Sequence, residues 1–360
     1  MGARAPQHQA ALGNLAYDFE RQGKYGQAEE IDRHNLEARR RVLGPENPNT
    51  LVPMTNLAIV YAEQGKFAGA APLFRQTVDI RRRVMGPEHP ETLQSMSNLA
   101  EFLRNTGKYP QAEALCSETL EIQRRVLGPN HRSTLTSMYC LADAYSVQGK
   151  YAQAEPVFKE VLEAGRRVLG PEHPETLRAT SALAALYQRQ GQYEMAETFA
   201  AAALAAYRHS QGAEASATVD AAAGLALAYQ SQGKFTRSEA LTREAQAFDS
   251  KKRPDEWQRY WDESILGASL AGQKKYGEAE SLLLASYSGM LEPRDKMRVR
   301  TSTASSAPWN GLFGSTAIGA SRKRQRSGAR SRHLRTARCI EEQNIRLRSA
   351  SVMCRSPSRR

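Results

Sequence analysis

An all-α solenoid of about seven antiparallel helix pairs is the fold that this 360-residue sequence predicts. Two markers that recur in step predict it. Gly23-Lys24-Tyr25, Gly65-Lys66-Phe67, Gly107-Lys108-Tyr109, Gly149-Lys150-Tyr151, Gly191-Gln192-Tyr193 and Gly233-Lys234-Phe235 place a glycine every 42 residues. Gly44-Pro45, Gly86-Pro87, Gly128-Pro129 and Gly170-Pro171 keep the same period. Self-similarity of this size means that each unit buries its apolar face only against its neighbours. Such a chain offers a surface for binding rather than a pocket for chemistry.

Residues 47 to 88 show how one unit is built. Asn47 is a favourable N-cap, held extended by the proline after it, and Pro48 takes the first helical position, where its missing N–H costs nothing. His89-Pro90-Glu91-Thr92 and His173-Pro174-Glu175-Thr176 repeat the device, with Glu91 and Glu175 near the positive end of the helix dipole. Leu51, Met54, Leu57, Ala58 and Tyr61 then form a one-sided apolar stripe that Gly65 ends. A second helix is expected from about Ala68 to Val84, with an inner stripe of Ala70, Leu73, Phe74, Val78 and Ile80. Arg81-Arg82-Arg83 meet the negative end of its dipole, and Gly86-Pro87 stop it. Pro72 and Pro156 lie early enough in this helix to be tolerated, and Pro110 sits at a first helical position.

Later copies depart from the pattern. The fifth has Ala213 and Ala215-Ser216 where others have Pro and His-Pro, so the next helix is less sharply capped. A seventh pair follows a break at Asp249-Ser250-Lys251-Lys252-Arg253-Pro254; its first helix carries Trp257, Trp261 and Ile265, and its second begins near Tyr276, one residue out of step. The sequence begins within a first helix that has no cap before it, as a piece of something longer would.

The pattern N-L-A-x-x-Y-x-x-Q-G-K-F-x-x-A from Asn56 to Ala70 resembles the tetratricopeptide repeat. Its 42-residue length, with L-G-P-x-H-P-x-T-L between units, is similar to the kinesin-light-chain variety that also occurs in bacterial proteins. The likeness spans roughly residues 8 to 290 and implies a right-handed superhelix whose first helices line a concave face. It then maps groove positions onto Val52, Thr55, Ile59, Ala62 and Glu63, and onto Gln94, Ser97, Glu101, Arg104 and Asn105. Two more sets follow: Thr136, Tyr139, Asp143, Ser146 and Val147, then Arg178, Ser181, Ala185, Gln188 and Arg189. These positions vary between copies while the core positions do not. Selective peptide recognition requires such variation, and unconstrained solvent positions would also show it.

Charge is concentrated at one end. Fifteen Lys/Arg and two Glu between Arg298 and Arg360 account for the whole formal net charge of +12, which leaves residues 1–297 close to neutral. The chain therefore divides into a solenoid over 1–290 and a basic tail over 291–360 that is expected to be disordered. Cys116, Cys140, Cys339 and Cys354 have no metal-ligand spacing; Cys116 and Cys140 fall on apolar helix faces, where free cysteine acts as a small hydrophobe. That usage, with no membrane-length apolar run and no signal peptide, points to a reducing, cytoplasmic setting.

No HExxH, phosphate-cradling glycine loop or GxSxG is present, so no catalytic residue, cofactor or metal is expected. His89, His131 and His173 lie 42 residues apart and read as helix caps rather than metal ligands. The arginine clusters at 39–41, 81–83, 124–125 and 166–167 read as solvated helix ends, with a basic ridge for an acidic partner as the alternative.

Three functional readings follow. The first is a non-catalytic scaffold binding a peptide or protein segment in the concave groove. The second is a docking or sensor part of a larger bacterial signalling protein with a Ser/Thr kinase domain. The third is nucleic-acid binding through the Arg-rich tail, which predicts affinity that falls steeply with salt and vanishes without residues 298–360. The tail itself reads as out of frame. Codons for Ala307 to Ala329, read from the last base of each into the next two, spell A-L-E-W-I-V-R-L-Y-G-D-W-G-K-P-E-K-A-A-E-W-R with suitable synonymous third bases. That hidden W-G-K-P-E-K-A-A-E repeats the in-frame Q-G-K-Y-x-Q-A-E grammar. A frameshift near Arg298 would have removed a last helix pair and left Leu282, Leu283 and Tyr287 exposed.

Overall fold

The computed structural model describes residues 5–254 and 256–290. The tail, with its expected disorder and hidden reading frame, lies outside them. Among the described residues there are helices and no strands. They form seven consecutive pairs, beginning with α1 (Ala5–Arg21) and α2 (Tyr25–Leu43), then α3 (Pro48–Glu63) and α4 (Phe67–Met85). The central pairs are α5 (Pro90–Asn105) with α6 (Tyr109–Val126), α7 (Arg132–Val147) with α8 (Tyr151–Val168), and α9 (Pro174–Gln190) with α10 (Tyr193–Gln211). The last are α11 (Ser216–Ser231) with α12 (Phe235–Lys252), and α13 (Trp257–Gly272) with α14 (Tyr276–Met290).

The two glycine markers do separate jobs. Glycines of the Gly-Lys-Tyr series end first helices in the left-handed region, with φ from 71° to 77°; those of the Gly-Pro series end second helices at φ from 87° to 98°, and Gly212, without its proline, does so at 84°. Both conformations suit a residue without a Cβ. The seventh pair, one residue out of register, puts Lys274 at φ 65° instead. Helix starts follow the caps. Asn47 Oδ1 accepts the Asn49 N–H at 3.0 Å, and His89, His131 and His173 each accept a backbone N–H on Nδ1 at 3.2 Å. Ala215, in the fifth connection, offers no side-chain cap.

Each helix packs on the next, and the first helices α5, α7, α9, α11 and α13 also touch their counterparts, forming an inner layer. The core runs continuously between the layers through side chains such as Met96, Met138, Phe158, Leu183 and Leu186, all 1% exposed or less. Lysines of the turn marker fasten pair to pair: Lys66 to Glu29, Lys150 to Glu113, Lys234 to Glu197 and Lys275 to Glu239, at 2.6 to 2.9 Å.

Two sequence expectations need correction, at Cys116 and Cys140 and at the last pair, and the arginines and Pro53 add contacts that the sequence did not announce. Cys116 and Cys140 are not isolated small hydrophobes: α6 and α7 bring their Cα atoms to 6.2 Å and the two form a disulfide. The arginine clusters stay at solvated helix ends, Arg83 and Arg125 being exposed, and ion pairs between copies rather than a free ridge engage several of them. Arg83 pairs with Glu46, Arg125 with Glu88, Arg82 with Glu118 and Arg124 with Glu160, while Arg81 turns inward, 5% exposed, onto the Glu91 carbonyl. Pro53 lies inside α3 and leaves the Asn49 carbonyl without its helical donor; Arg39 Nη1 supplies one at 2.6 Å. At the last pair Leu282 and Leu283 are half-buried against α13, and the exposed apolar side chains are Tyr276, Leu284 and Tyr287.

Candidate peptide-binding groove

The inner layer sets the geometry of the groove. First helices start at capped positions 42 residues apart, so the same heptad-like face of α5, α7 and α9 turns inward in each copy. Between them lies a cavity of about 410 Å³. Gln94, Ser97, Glu101 and Arg104 of α5 line one side, Thr136 and Tyr139 of α7 the middle, and Arg178 of α9 the other side. Second helices complete it with Cys116 and Thr119 of α6 and Tyr207 of α10; Cys140 brings the disulfide to its wall.

The charges within it are unequal in their satisfaction. Arg104 and Asp143, each with a side chain 7% exposed, pair at 2.8 Å, and Glu101 lies 3.5 Å from Arg104. Burial alone would lower the Arg104 pKa, but Asp143 and then Glu101 outweigh it and raise it, so the guanidinium stays charged. Arg178 differs. Its guanidinium stacks 4.0 Å from the centre of the Tyr139 ring, its Nε is buried without an acceptor, and among the described residues no carboxylate pairs with it. Tyr139 is 3% exposed, and burial, followed by Asp143, pushes its phenol up to about 12. A neutral aromatic ring therefore backs an unneutralised cation.

The residues expected from the sequence are not all brought together. Gln94, Ser97, Glu101, Arg104, Tyr139 and Arg178 border the cavity. Thr55, 8% exposed, donates its hydroxyl to the Leu51 carbonyl, Ile59 is half-buried against the core, and neither borders this cavity. Asp143 is committed to Arg104, Ser146 and Ala185 are buried, and Asn105 is half-buried. Gln188 donates to Ser231 at 2.6 Å and Arg189 to Ser146 at 2.7 Å, both bridging neighbouring repeats. Sequence reading missed Tyr207 and Arg132, which the cavity includes. Tyr207 stands 42 residues after Gly165 and 84 after Gln123, and this non-repeating column of second-helix residues is the signal that could have found it. No group of three His, Cys, Asp or Glu able to hold a metal occurs among the described residues.

Paired helices repeated in register around a variable inner face define a repeat solenoid. The tetratricopeptide-repeat profile matches residues 7–83, 91–154 and 134–209, and the chain belongs to that family. Among solved structures, the nearly identical TPR-like repeats of a Podosopora anserina kinesin light chain align at 27% identity and TM-score 0.51, covering 59% of this chain and 99% of theirs. RapI in its apo form aligns at 13% identity and TM-score 0.61, over 80% of this chain and 98% of its own. The apo quorum sensor NprR of B. thuringiensis aligns at 12% identity and TM-score 0.54, over 78% and 87%. These likenesses establish the all-α right-handed solenoid, of the kinesin-light-chain-like type. No curated protein matches the chain. Among the described residues no helix is long and apolar enough to cross a membrane.

Proposed function

We propose that this chain is a non-catalytic scaffold that binds a peptide or protein segment along its concave face, anchored in the cavity between α5, α7 and α9. Membership of a repeat family that serves protein–protein contact supports the general reading. The observation that carries the finer one is Arg178: a half-buried cation over an aromatic ring, with no carboxylate of its own. Partial burial without a counter-charge is costly, and a ligand carboxylate placed there would recover that cost through a charge-assisted hydrogen bond. Ser97 and Thr136 at the rim donate to the Leu93 and Arg132 carbonyls and Gln94 to Asn98, which leaves their side-chain oxygens to accept from the N–H groups of an extended backbone beside it.

Display selection of random peptides on the full chain tests this. Enriched peptides are expected to share an Asp or Glu and to lose tenfold or more in affinity against Arg178→Gln, which keeps the size and removes the charge. Peptides that bind the Arg178→Gln chain equally well would overturn the anchoring site.

A further inference from the structure

Asp220 of α11, Asp249 near the end of α12, Arg253 just beyond it and Asp262 of α13 meet where the sixth pair joins the seventh. Arg253 donates from Nε to Asp249 Oδ1 at 2.7 Å and from Nη1 to Asp220 Oδ1 at 2.7 Å, with Phe248 5.0 Å away. Asp249, Asp262 and Arg253 are 0%, 1% and 3% exposed. One cation thus faces three carboxylates out of water. Asp249 Oδ2 and Asp262 Oδ2 are buried and receive no other donor, and the two side chains lie within hydrogen-bonding reach of each other. Two carboxylates in contact cannot both stay ionised cheaply in such a place, whereas one proton between them turns repulsion into a short O–H···O⁻ bond.

Register shows how unusual this junction is. Arg253 occupies the position held by Leu43, Met85, Leu127, Leu169 and Gln211 in earlier copies, and Asp249 the position of Arg39, Arg81, Gln123, Gly165 and Tyr207, none of them a carboxylate. We propose that the seventh pair is held to the sixth by a proton-operated latch, in which a protonated Asp262 donates to Asp249 beneath Arg253 and releases α13 when it ionises.

The other charged groups near the latch do not neutralise it. Arg259 of α13 faces Asp249 but is paired with Glu263 at 2.8 Å, Glu256 is buried at the start of α13 with a partner of its own, and Tyr207 of α10 faces Asp220. Carboxylates of α14 lie elsewhere, Glu278 on Arg243 at 2.8 Å and Glu280 exposed. Burial, followed by Asp249, raises Asp262 well above the usual carboxylate range. Between its ordinary value and that raised value the closed junction holds a proton that the open one lacks. Closure is therefore favoured at low pH, and the opening constant rises about tenfold per pH unit across the window.

Trp257 and Trp261 of α13 pack with Ala223 and Ala226 of α11, so tryptophan emission reads the latch. In the full chain carrying Trp309→Phe, emission is expected to shift to longer wavelength as pH rises from about 5 to about 9. Adding Asp262→Asn, whose amide donates to Asp249 without ionising, is expected to hold the short wavelength throughout. A flat profile without Asp262→Asn, or the same transition with it, would overturn the proposal. Should Asp262→Asn fail to fold, hydrogen exchange of the unsubstituted chain decides: protection of α13, corrected for intrinsic exchange, is expected to fall about tenfold per pH unit relative to α5. Equal pH response in both helices would sink the latch.

Discussion

Among the described residues a buried arginine stands beside more than one carboxylate at two places, and the two differ in charge balance. Between α5 and α7, Arg104 pairs with Asp143, Glu101 stands nearby, and Arg189 adds a second cation that feels the Asp143 charge. Two guanidinium groups meet two carboxylates. At the α11–α13 junction Arg253 alone meets Asp220, Asp249 and Asp262. Balanced burial makes the central repeats a fixed frame around the cavity, because neither partner gains by changing protonation. Imbalance at the end makes closure depend on a proton. The same helical-pair scaffold thus carries a rigid middle and a conditional terminus, and the difference lies in a few side chains rather than in backbone geometry.

The largest expected effect breaks the balanced side. Arg104→Ala leaves Asp143 buried and unpaired, which should cost about 3–5 kcal/mol in chemical denaturation. Replacing both partners with apolar residues, Arg104→Met with Asp143→Leu, should recover most of that loss. A small effect of Arg104→Ala alone would show that the pair is hydrated and the frame looser than its burial states. Arg104 is for this reason a poor probe of ligand binding, and Arg178 is the better one.

Next in size is the covalent contribution to the middle. The Cys116–Cys140 disulfide closes a loop with a sequence separation of 24. Cys140→Ser is expected to cost about 2–4 kcal/mol under non-reducing conditions, where the parent keeps its bridge. Thiol titration of the native chain checks the bridge itself: full reactivity of all four cysteines would remove this prediction's premise. The α13–α14 pair should be unaffected, since no crosslink reaches it among the described residues.

A smaller change sharpens the other side. Lys274 sits at φ 65°, where every in-register copy has glycine. A left-handed conformation costs a residue with a Cβ roughly 1–2 kcal/mol, so Lys274→Gly should stabilise the last pair by about 1 kcal/mol. Hydrogen exchange localised to α13 and α14 would show it. If protection rises equally in α5, the terminal pair does not open on its own.

Much of this fold was legible in the sequence because each repeat carries its own start and stop chemistry. Asn47, His89, His131 and His173 announce caps, and the glycines announce ends, through local backbone physics alone. What was not legible comes from contacts between copies. Arg104 and Asp143 are 39 residues apart, Lys66 and Glu29 37, and Cys116 and Cys140 24. These offsets join one repeat to the next and are invisible to a search for neighbours along one helix. Thr55 was placed on the groove by family geometry, yet its hydroxyl bonds its own helix and it does not border the cavity. Arg178 was named, but only the structure shows that it lacks a carboxylate.

The smallest effect concerns acid rather than base, and it contrasts the fasteners with the latch. Glu239 accepts from Lys275 at 2.9 Å and from Gln273 at 2.6 Å, and these bonds, against the opposing effect of burial, lower its pKa to about 2. Glu113 and Glu197 are lowered in the same way by their lysines and glutamines. A depressed carboxylate contributes stability that is complete above its ordinary value of about 4.5 and is lost as pH falls toward its folded value. The fasteners therefore weaken on the acid side, whereas the latch weakens on the alkaline side. Lys275 is half-exposed, so solvent screens much of the Glu239 contribution and the acid effect should be modest. Glu239→Gln should flatten the acid limb of a pH–stability profile of α13 and leave the alkaline limb unchanged. Asp262→Asn should do the reverse. If either substitution alters both limbs together, fasteners and latch are one cooperative network, and the division between a fixed middle and a proton-controlled end fails.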